Sequence, residues 1–321
     1  MAAARGSRDA TSVEVGDKEI RVSHPERVYF PETGATKLDL VEYYLAVGDG
    51  IVRALRERPC MLHRFPDGTA GEKVHQKRVP RGAPDWLHTV RVHFPRYNRD
   101  ADELCVTELA EVIWAVQMST VEFHPWNSRR ADVEKPDEWR IDLDPMPDCG
   151  WDRVRRVAGV AHEILDELGA VGWPKTSGGR GMHIYVRIPP DHGFSDVRRA
   201  ALAFAREVER RAPDDATTTW WRRERDPAAL FVDYNQNARD HTMAAAYSVR
   251  GVPDARVSAP IRWDEIDDAK PADFTLASMP ARFAQLGDLH AGIDDAPFDL
   301  APLLEWAERD DREGVAPPPE D

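Results

Sequence analysis

Hydrophobic residues along the chain recur with helical spacing in four segments. Residues three or four positions apart lie on the same face of a helix, so this spacing predicts helices with one buried face. The segments that show it are 37–55, 106–123, 152–168 and 196–211. Thr36 and Asp39 open the first segment with a capping-box pattern, in which Asp replaces the usual Glu or Gln. Gly169 follows the third segment, as is typical where a helix ends.

Short apolar runs outside these helices predict β-strands. They lie at 60–65, 140–143, 183–188, 230–234 and 244–249. Between residues 140 and 234 the predicted order is strand, helix, strand, helix, strand. This order resembles half of a split β-α-β arrangement with helices on one face of a sheet. The expected fold class is therefore α/β, of the α+β kind.

The chain shows no internal repeat and no long linker, which favours one folded body over two independent domains. Its 321 residues, 42% of them hydrophobic, are enough for a large core. We expect a single domain at residues 13–300, made of two lobes that meet at a cleft. Residues 1–12 are small and polar and are predicted to be disordered. Residues 301–321 are predicted to form an acidic, proline-rich tail.

The lengths of the apolar runs indicate the cellular compartment, and the spacing of the cysteines indicates which disulfide or metal sites are expected. The sequence contains no apolar run long enough to cross a membrane and no secretory signal, so we expect a cytoplasmic protein with no membrane partner. Cys60, Cys105 and Cys149 are widely spaced, which argues against a disulfide framework and a zinc ribbon. Cys60 could be combined with His63 and His75 into a metal site, but a partly buried thiol beside ordinary histidines is favoured.

The net charge of −14 would argue against a nucleic-acid partner if it were spread evenly. Residues 264–321, however, contain 16 acidic and 4 basic residues, so the preceding part of the chain is nearly neutral. Basic residues in that part occur in three groups. They are Lys73, Lys77, Arg78 and Arg81; Arg129 and Arg130; and Arg222, Arg223 and Arg225. Each group fits either a nucleic-acid groove or an ordinary solvated surface.

Asp142 and Asp144 stand on either side of Leu143 in a predicted strand. Side chains alternate along a strand, so both carboxylates point to the same side. Carboxylate oxygens suit Mg²⁺ or Mn²⁺, and these ions suit phosphate chemistry. The pair by itself fits either a divalent-metal site or a solvated strand end, and the other motifs decide between the two.

A glycine-rich segment at residues 177–183 leads into the strand predicted at 183–188. Its glycines allow backbone amides to approach an anion, and Ser177, Arg180 and His183 can bind phosphate oxygens. The segment lacks the Gly-Lys-Ser/Thr ending of a P-loop, and no helix follows it as in a dinucleotide fingerprint. It fits a triphosphate site, although an exposed glycine-rich turn would look similar.

A third carboxylate, Asp233, ends the hydrophobic strand predicted at 230–234. On a strand beside the first, it would complete a set of three carboxylates for two ions about 3.5 to 4 Å apart. Arg250 follows the strand predicted at 244–249, and His124 follows the helix predicted at 106–123. Taken alone, His124 would be assigned a structural role.

A set of motifs in a fixed order resembles the polymerase domain of bacterial ligase D, a member of the archaeo-eukaryotic primase superfamily. The motifs are His24-Pro-Glu-Arg-Val-Tyr-Phe-Pro, Thr36-Lys, Glu122-Phe-His, Asp142-Leu-Asp-Pro, Ser177-Gly-Gly-Arg-Gly-Met-His, Phe231-Val-Asp-Tyr-Asn-Gln-Asn and Tyr247-Ser-Val-Arg-Gly. They extend over nearly the whole chain. The resemblance implies a primase-type core of mixed and antiparallel sheets flanked by helices, with an RRM-like unit and a central cleft.

The resemblance also implies a role for each matching residue. Two Mn²⁺ or Mg²⁺ ions would be held by Asp142, Asp144 and Asp233. The nucleoside triphosphate would be bound by Ser177, Arg180, His183 and Arg250, with His124 near the sugar and the triphosphate. The 5′-phosphate of a gapped or recessed DNA end would be bound by Arg27 and Lys37. Such an enzyme would add NTPs or dNTPs to a primer 3′-hydroxyl during gap filling in non-homologous end joining.

Two departures from the family pattern concern the nucleotide and template. The family commonly has a pair of phenylalanines where this chain has Val74 and His75, and stacking of a base on an aromatic ring is worth roughly 1 to 3 kcal/mol. His63 stands where the family often has Lys.

The sequence contains no ligase or nuclease module, so the resemblance is to a stand-alone primase-polymerase. A Ku-type end-binding protein and a separate DNA ligase are the partners that it implies.

Two other functions fit part of the pattern. A Mn²⁺-dependent glycosyltransferase would use Asp142 and Asp144 for a nucleotide sugar, but it leaves Asp233 and the segment 177–183 without a role. A catalytically silent DNA-end-binding protein would keep the basic groups and would not need the carboxylates.

Overall fold

The computed structural model describes residues 10–315. The strands are β1 Ala10–Val15, β2 Lys18–Ser23, β3 Val28–Phe30, β4 Ala35–Thr36, β5 Pro59–Arg64, β6 Val74–Gln76, β7 Thr89–Phe94, β8 Arg99–Cys105, β9 Thr120–Pro125, β10 Ser128–Arg129, β11 Asp132–Pro136, β12 Glu138–Pro145, β13 Trp173–Thr176, β14 Met182–Arg187, β15 Ala216–Thr217 and β16 Leu230–Asp233. The helices are α1 Lys37–Ala46, α2 Gly48–Leu55, α3 Leu109–Gln117, α4 Trp151–Leu168, α5 Phe194–Arg211, α6 Met279–Leu286 and α7 Ala301–Arg312.

A five-stranded sheet at the centre of the fold has the order β13-β14-β12-β16-β15. Its neighbours are antiparallel except β15 and β16, which are parallel. In chain order β12, α4, β13, β14, α5 and β16 form the split β-α-β arrangement of RRM-like units, with β12 between β14 and β16. The predicted fold class is confirmed.

Helices α4 and α5 contact each other and the central sheet. Val154, Val157, Ala161 and Ile164 on α4 are fully buried, as their helical spacing predicts. The helix ends at Leu168, the residue before the predicted stop.

A second sheet is built around β5, which pairs with β6 and β8 along one side and with β9 along the other. Helices α1, α2 and α3 pack next to it, and α3 contacts β9. The two sheets meet where Arg140 on β12 donates a hydrogen bond to the carbonyl of Pro125 at the end of β9, at 3.0 Å. The candidate catalytic residues come from both sheets.

The helix predicted at 106–123 is wrong in its second half. Helix α3 ends at Gln117, and the chain turns at Ser119, whose φ is +73°, into strand β9. Every residue of β9 is buried, so its hydrophobic pattern did not separate a strand from a buried helix. Pairing with β5 makes this segment a strand, and His124 lies on that strand and not at the end of a helix.

Two other predicted elements differ from the structure. The helix predicted at 37–55 is two helices, α1 and α2, which meet at Val47, and the predicted capping box of Thr36 and Asp39 is present. The strand predicted at 244–249 is an irregular buried segment with one bridge, between Val249 and Val257. Tyr247 in this segment has a φ of +65°, which is incompatible with a continuous strand.

The two ends predicted to be unstructured are described only in part. Residues 1–9 lie outside the described residues, and residues 10–12 begin β1. The segment 301–321, expected to be a tail, contains α7, which contacts α5 and buries Leu303 and Ala307. Charged groups reinforce this contact, since Arg206 on α5 lies 3.4 Å from Asp310 on α7. Among residues 10–315, no helix is both long and apolar enough to cross a membrane.

Candidate active site

Three carboxylates converge on the middle of the central sheet. Asp142 and Asp144 alternate along β12, so both side chains leave the same face of the sheet. Strand β16 is antiparallel to β12 in a register that pairs Asp233 with Asp142. The hydrophobic run before Asp233 is buried and places this residue at the end of β16.

Burial and the crowding of like charges determine the electrostatics of this carboxylate cluster. Burial and the neighbouring charges of Asp233 and Asp144 raise the pKa of Asp142 well above its ordinary value. Burial and Asp233 also raise the pKa of Asp144, whereas Arg222, Arg225 and Arg180 oppose this shift. Carboxylates that repel one another in this way form a site for cations, since a bound cation would relieve the repulsion.

Residues 177–181 of the glycine-rich segment form a tight loop between β13 and β14, and Met182 and His183 begin β14. The Ser177 hydroxyl accepts hydrogen bonds from the amides of Gly179 and Gly181, both at 3.1 Å. Gly178 has a φ of +68°, and a Cβ there would lie 2.5 Å from the side chain of Arg250, so only glycine fits. The glycine amides that we expected to approach an anion therefore include two that are already bonded within the loop.

Arg180 and Arg250 hold this loop from opposite sides. Arg180 donates to the carbonyls of Met146, Pro147 and Cys149, just after β12. Arg250 donates to the Ser177 carbonyl at 2.6 Å. The loop is thus fixed relative to the carboxylates, and both guanidinium groups lie beside it.

His183 lies on the other side of Asp142 from Asp233, because β14 pairs with β12 in a register that joins His183 to Asp142. Its Nε2 is 3.5 Å from Asp142 Oδ1. Its Nδ1 is 2.7 Å from Nζ of Lys175, a lysine with no exposed surface. Burial lowers the pKa of His183 and of Lys175 well below their ordinary values, so His183 is a neutral imidazole.

His124 belongs to a buried group with His63 and Glu122. Glu122 Oε2 lies 2.8 Å from His124 Nε2 and 3.0 Å from His63 Nδ1, and 3.3 Å from the Nε of Arg250. Burial acts to raise the pKa of Glu122, but hydrogen bonds from the two imidazoles and the charge of Arg250 hold it below its ordinary value. Burial lowers the pKa of His124 to about 3. The ligand atoms of His63, Glu122 and His124 lie within 4.8 Å of one another, so these three side chains could also hold a metal ion.

Three imidazole rings stack beside this group. The ring centres of His124 and His63 are 3.8 Å apart, and those of His63 and His75 are 4.4 Å apart. His75 is the outer ring, on β6 opposite His63. The position where the family commonly has an aromatic pair is thus occupied by an exposed imidazole supported by two others.

Arg27 and Lys37 line a separate pocket of about 210 Å³, together with Ser23, Arg64 and Gln117 among others. Lys37 Nζ donates to the Ser23 carbonyl at 2.9 Å and to Gln117 Oε1 at 2.8 Å. Burial and then the charges of Arg27 and Arg64 lower the pKa of Lys37 to about 8. Three basic side chains, Arg27, Lys37 and Arg64, therefore line one small pocket.

Sequence reasoning missed three residues of the site. Lys175 and Glu122 are charged residues in strands, which the hydrophobic pattern marks only as interruptions, and His63 was assigned an ordinary role. Alternation of side chains along a strand could have identified Glu122, because Glu122 and His124 are two positions apart and would share a face, as Asp142 and Asp144 do. That signal was lost when residues 106–123 were assigned to a helix.

Comparison with known families gives the same assignment as the site. The family model of the LigD primase-polymerase domain matches residues 36–290. The chain belongs to this family. The family assignment confirms the resemblance seen in the sequence and the enzyme class, a DNA-directed nucleotidyltransferase that uses divalent metal ions. It gives no support to the glycosyltransferase and silent end-binding alternatives.

Curated relatives are longer proteins that contain a LigD primase-polymerase domain. The multifunctional non-homologous end joining protein LigD of Pseudomonas aeruginosa is 36% identical over 286 residues, which are 88% of this chain and 34% of that protein. The bifunctional non-homologous end joining protein LigD of Bacillus subtilis is 26% identical over 280 residues, 85% of this chain and 44% of that protein. The chain therefore spans less than half the length of these relatives.

A solved structure of the LigD family has the same fold. It is the polymerase domain from Mycobacterium tuberculosis ligase D in complex with DNA, with a TM-score of 0.80 and 26% sequence identity. The superposition covers 87% of this chain and 99% of that domain. The primase-type core expected from the sequence is therefore confirmed.

Proposed function

We propose that this protein is a template-dependent polymerase that adds ribo- or deoxyribonucleotides to a primer 3′-hydroxyl and fills gaps during non-homologous end joining. The observation that carries this proposal is the convergence of Asp142, Asp144 and Asp233 on one face of the central sheet. The family assignment supports the same reaction.

Asp142, Asp144 and Asp233 fit divalent ions, because their oxygens are hard ligands and their mutual repulsion calls for cations. We propose that these three residues hold two Mn²⁺ or Mg²⁺ ions. When bound, such ions would lower the pKa of the primer hydroxyl and neutralise charge on the triphosphate.

Binding of the triphosphate is assigned to the side chains around the loop at 177–183. Ser177 and Arg180 belong to this loop, and Arg250 donates a hydrogen bond to it. His183 presents Nε2 next to Asp142. His124 would lie near the sugar and the triphosphate. Positive guanidinium groups would offset the charge of the nucleotide and of the leaving pyrophosphate.

The pocket of Arg27 and Lys37 is assigned to the 5′-phosphate of a gapped or recessed DNA end. Two cations that converge with Arg64 on a small pocket match the charge of a terminal phosphate. Gap filling leaves a nick that a DNA ligase must seal, so we propose a DNA ligase and a Ku-type end-binding protein as partners in the repair. The proposed location is the bacterial cytoplasm, on the chromosome.

Primer extension on gapped DNA tests the assignment of the carboxylates. Asp142→Ala and Asp144→Ala should abolish extension with Mn²⁺ and either rNTPs or dNTPs, because each removes a ligand from the ions, while DNA binding stays close to that of the wild type. Asp148→Ala is the matched control, since Asp148 is an exposed aspartate just beyond β12. Extension retained by both active-site variants would reject the metal assignment. An unprimed template in the same assay measures priming.

A further inference from the structure

Trp221 is a large apolar side chain that the fold leaves exposed beside the catalytic carboxylates. It is 49% exposed, in the connection between β15 and β16, and we refer to residues 218–226 as the Trp221 loop. Contact of its ring with a ligand would remove this apolar surface from water, which is favourable.

The Trp221 loop has a fixed base. Arg225 donates to the carbonyls of Thr219 and Trp220, at 2.8 and 2.9 Å, and its guanidinium lies 3.2 Å from the ring centre of Phe231. Thr218 bonds to Glu209 on α5 through both its amide and its hydroxyl. Bonds at the base of the loop restrict its motion, so Trp221 is presented in a defined place.

Trp220 and Trp221 have different environments although they are adjacent. Trp220 packs against the core, with its ring 6.4 Å from that of Tyr234 and 5.7 Å from the guanidinium of Arg198. Trp221 packs edge-on against Trp220, with ring centres 6.4 Å apart and an angle of 88°. One tryptophan therefore anchors the loop, and the other keeps much of its surface free.

The Trp221 loop lies at the edge of the active site. Strand β16 runs directly from the loop to Asp233. Arg222 and Arg225 are close enough to Asp144 to oppose the rise in its pKa. A strand of nucleic acid whose end reaches the carboxylates would therefore pass next to the loop.

Charge around Trp221 matches nucleic acid. Arg222 and Arg223 follow it directly, and the Arg223 guanidinium lies 5.6 Å from the Trp221 ring, with 80% of the side chain exposed. Glu224, 3.6 Å from Arg223, offsets only part of this charge. An aromatic face flanked by arginines is the combination that binds single-stranded nucleic acid, in which bases stack and phosphates pair with cations.

We propose that Trp221 stacks on an unpaired base of the DNA strand at the polymerase site, with Arg222 and Arg223 on the adjacent phosphates. This inference rests on the proposed function, because it assigns the loop to a substrate of the same site. The occupant is an unpaired base, since a base within a duplex already stacks on its neighbours and offers no free face.

Binding of labelled oligothymidylate in EDTA, measured by fluorescence anisotropy, tests the stacking without requiring catalysis. Trp221→Ala should raise the Kd about 5- to 150-fold, the range that corresponds to one lost base stack. Trp221→Phe keeps an aromatic face and should stay within about threefold of the wild type, well short of that loss. Trp306→Ala is the matched control, because Trp306 on α7 also has an arginine near its ring, Arg309 at 5.8 Å.

A charge variant separates stacking from phosphate contact. Arg222→Gln with Arg223→Gln should lower the slope of log Kd against log salt concentration by about 1.4, since each phosphate contact to a single strand contributes about 0.7, whereas Trp221→Ala should leave the slope unchanged. A Kd of Trp221→Ala equal to that of the Trp306→Ala control would overturn the proposal. Wild-type primer extension is measured in parallel, so that failure of the polymerase assignment shows as absent extension and failure of the stacking proposal shows as unchanged binding.

Discussion

Lys175 is a buried lysine that determines how His183 can act. Its Nζ lies 2.7 Å from His183 Nδ1, 2.9 Å from the Ala244 carbonyl and 2.5 Å from Ser258 Oγ. A protonated Lys175 only donates, and in that state His183 accepts at Nδ1 and carries its proton at Nε2. Nε2 faces Asp142 and the site assigned to the triphosphate. Lys175 is therefore a positioning residue that sets the tautomer of His183.

Replacing Lys175 should impair nucleotide binding more than the chemical step. We expect Lys175→Met to raise KM for the nucleoside triphosphate about tenfold or more, because a hydrogen bond to a charged group contributes about 1.5 to 3 kcal/mol. Nitrogen-15 NMR of His183 should show loss of the Nε2–H tautomer. Tyr185→Phe is a control, since the Tyr185 hydroxyl also donates to the Ala244 carbonyl, at 3.3 Å. An unchanged tautomer in Lys175→Met would contradict the assignment.

Lys37 makes recognition of the 5′-phosphate dependent on pH. Its pKa is lowered to about 8, so the side chain is charged below pH 8 and loses its charge as the pH rises above that value. The preference for phosphorylated over unphosphorylated gaps should therefore fall between pH 7 and pH 9, by up to about tenfold. Competition binding with the two DNAs measures it. Lys37→Met should show a smaller preference with no dependence on pH in this range, and a preference in the wild type that stays constant would contradict the role.

At the scale of elements, the stretch at 106–123 shows where a hydrophobic pattern is ambiguous. Its first part is helix α3, which ends at Gln117, and its last part belongs to strand β9. Both parts are buried, so the hydrophobic pattern does not show where the helix ends and the strand begins. The capping box of α1 was predictable because it depends only on Thr36 and Asp39, which are neighbours in the chain. The end of α3 depends on pairing with β5, a strand distant in sequence.

Helix α7 is expected to contribute to the stability of the core unit. Leu303 is fully buried where α7 contacts α5, so Leu303→Ala should lower the free energy of unfolding by about 2 to 5 kcal/mol. Chemical denaturation measures this, with Glu305→Ala, at an exposed position of the same helix, as the control. Primer extension well below the unfolding temperature should be unchanged. Equal stability of the two variants would show that α7 is not part of the cooperative unit.

At the scale of the whole molecule, net charge and local charge point in opposite directions. The chain has a net charge of −14, but acidic groups of the C-terminal helix are paired with arginines of α5, for example Asp311 with Arg199 at 2.5 Å. The side chains of Arg27, Arg222 and Arg223, by contrast, are exposed. The overall charge therefore does not exclude a nucleic-acid substrate.

DNA affinity should fall as salt concentration rises, despite the negative net charge. If Arg27, Lys37, Arg222 and Arg223 each contact a phosphate, the slope of log affinity against log salt concentration should be about −3 to −4. Titration of gapped DNA at several salt concentrations gives this slope. Arg27→Ala with Lys37→Ala should reduce its magnitude by about two. A slope near zero for the wild type would reject phosphate contacts as the main source of affinity.

Short-range patterns were readable from the sequence alone. Alternation placed Asp142 and Asp144 on one face of a strand and helical spacing predicted α4 and α5, because both depend on residues close together in the chain. The order of the motifs along the chain led to the family. Tertiary structure decided which distant residues meet. The register of β16 brings Asp233 opposite Asp142, β9 brings Glu122 to His63, and the distant residues Ala244 and Ser258 bond to the buried Lys175. These contacts depend on pairing between segments far apart in sequence, on which local periodicity carries no information.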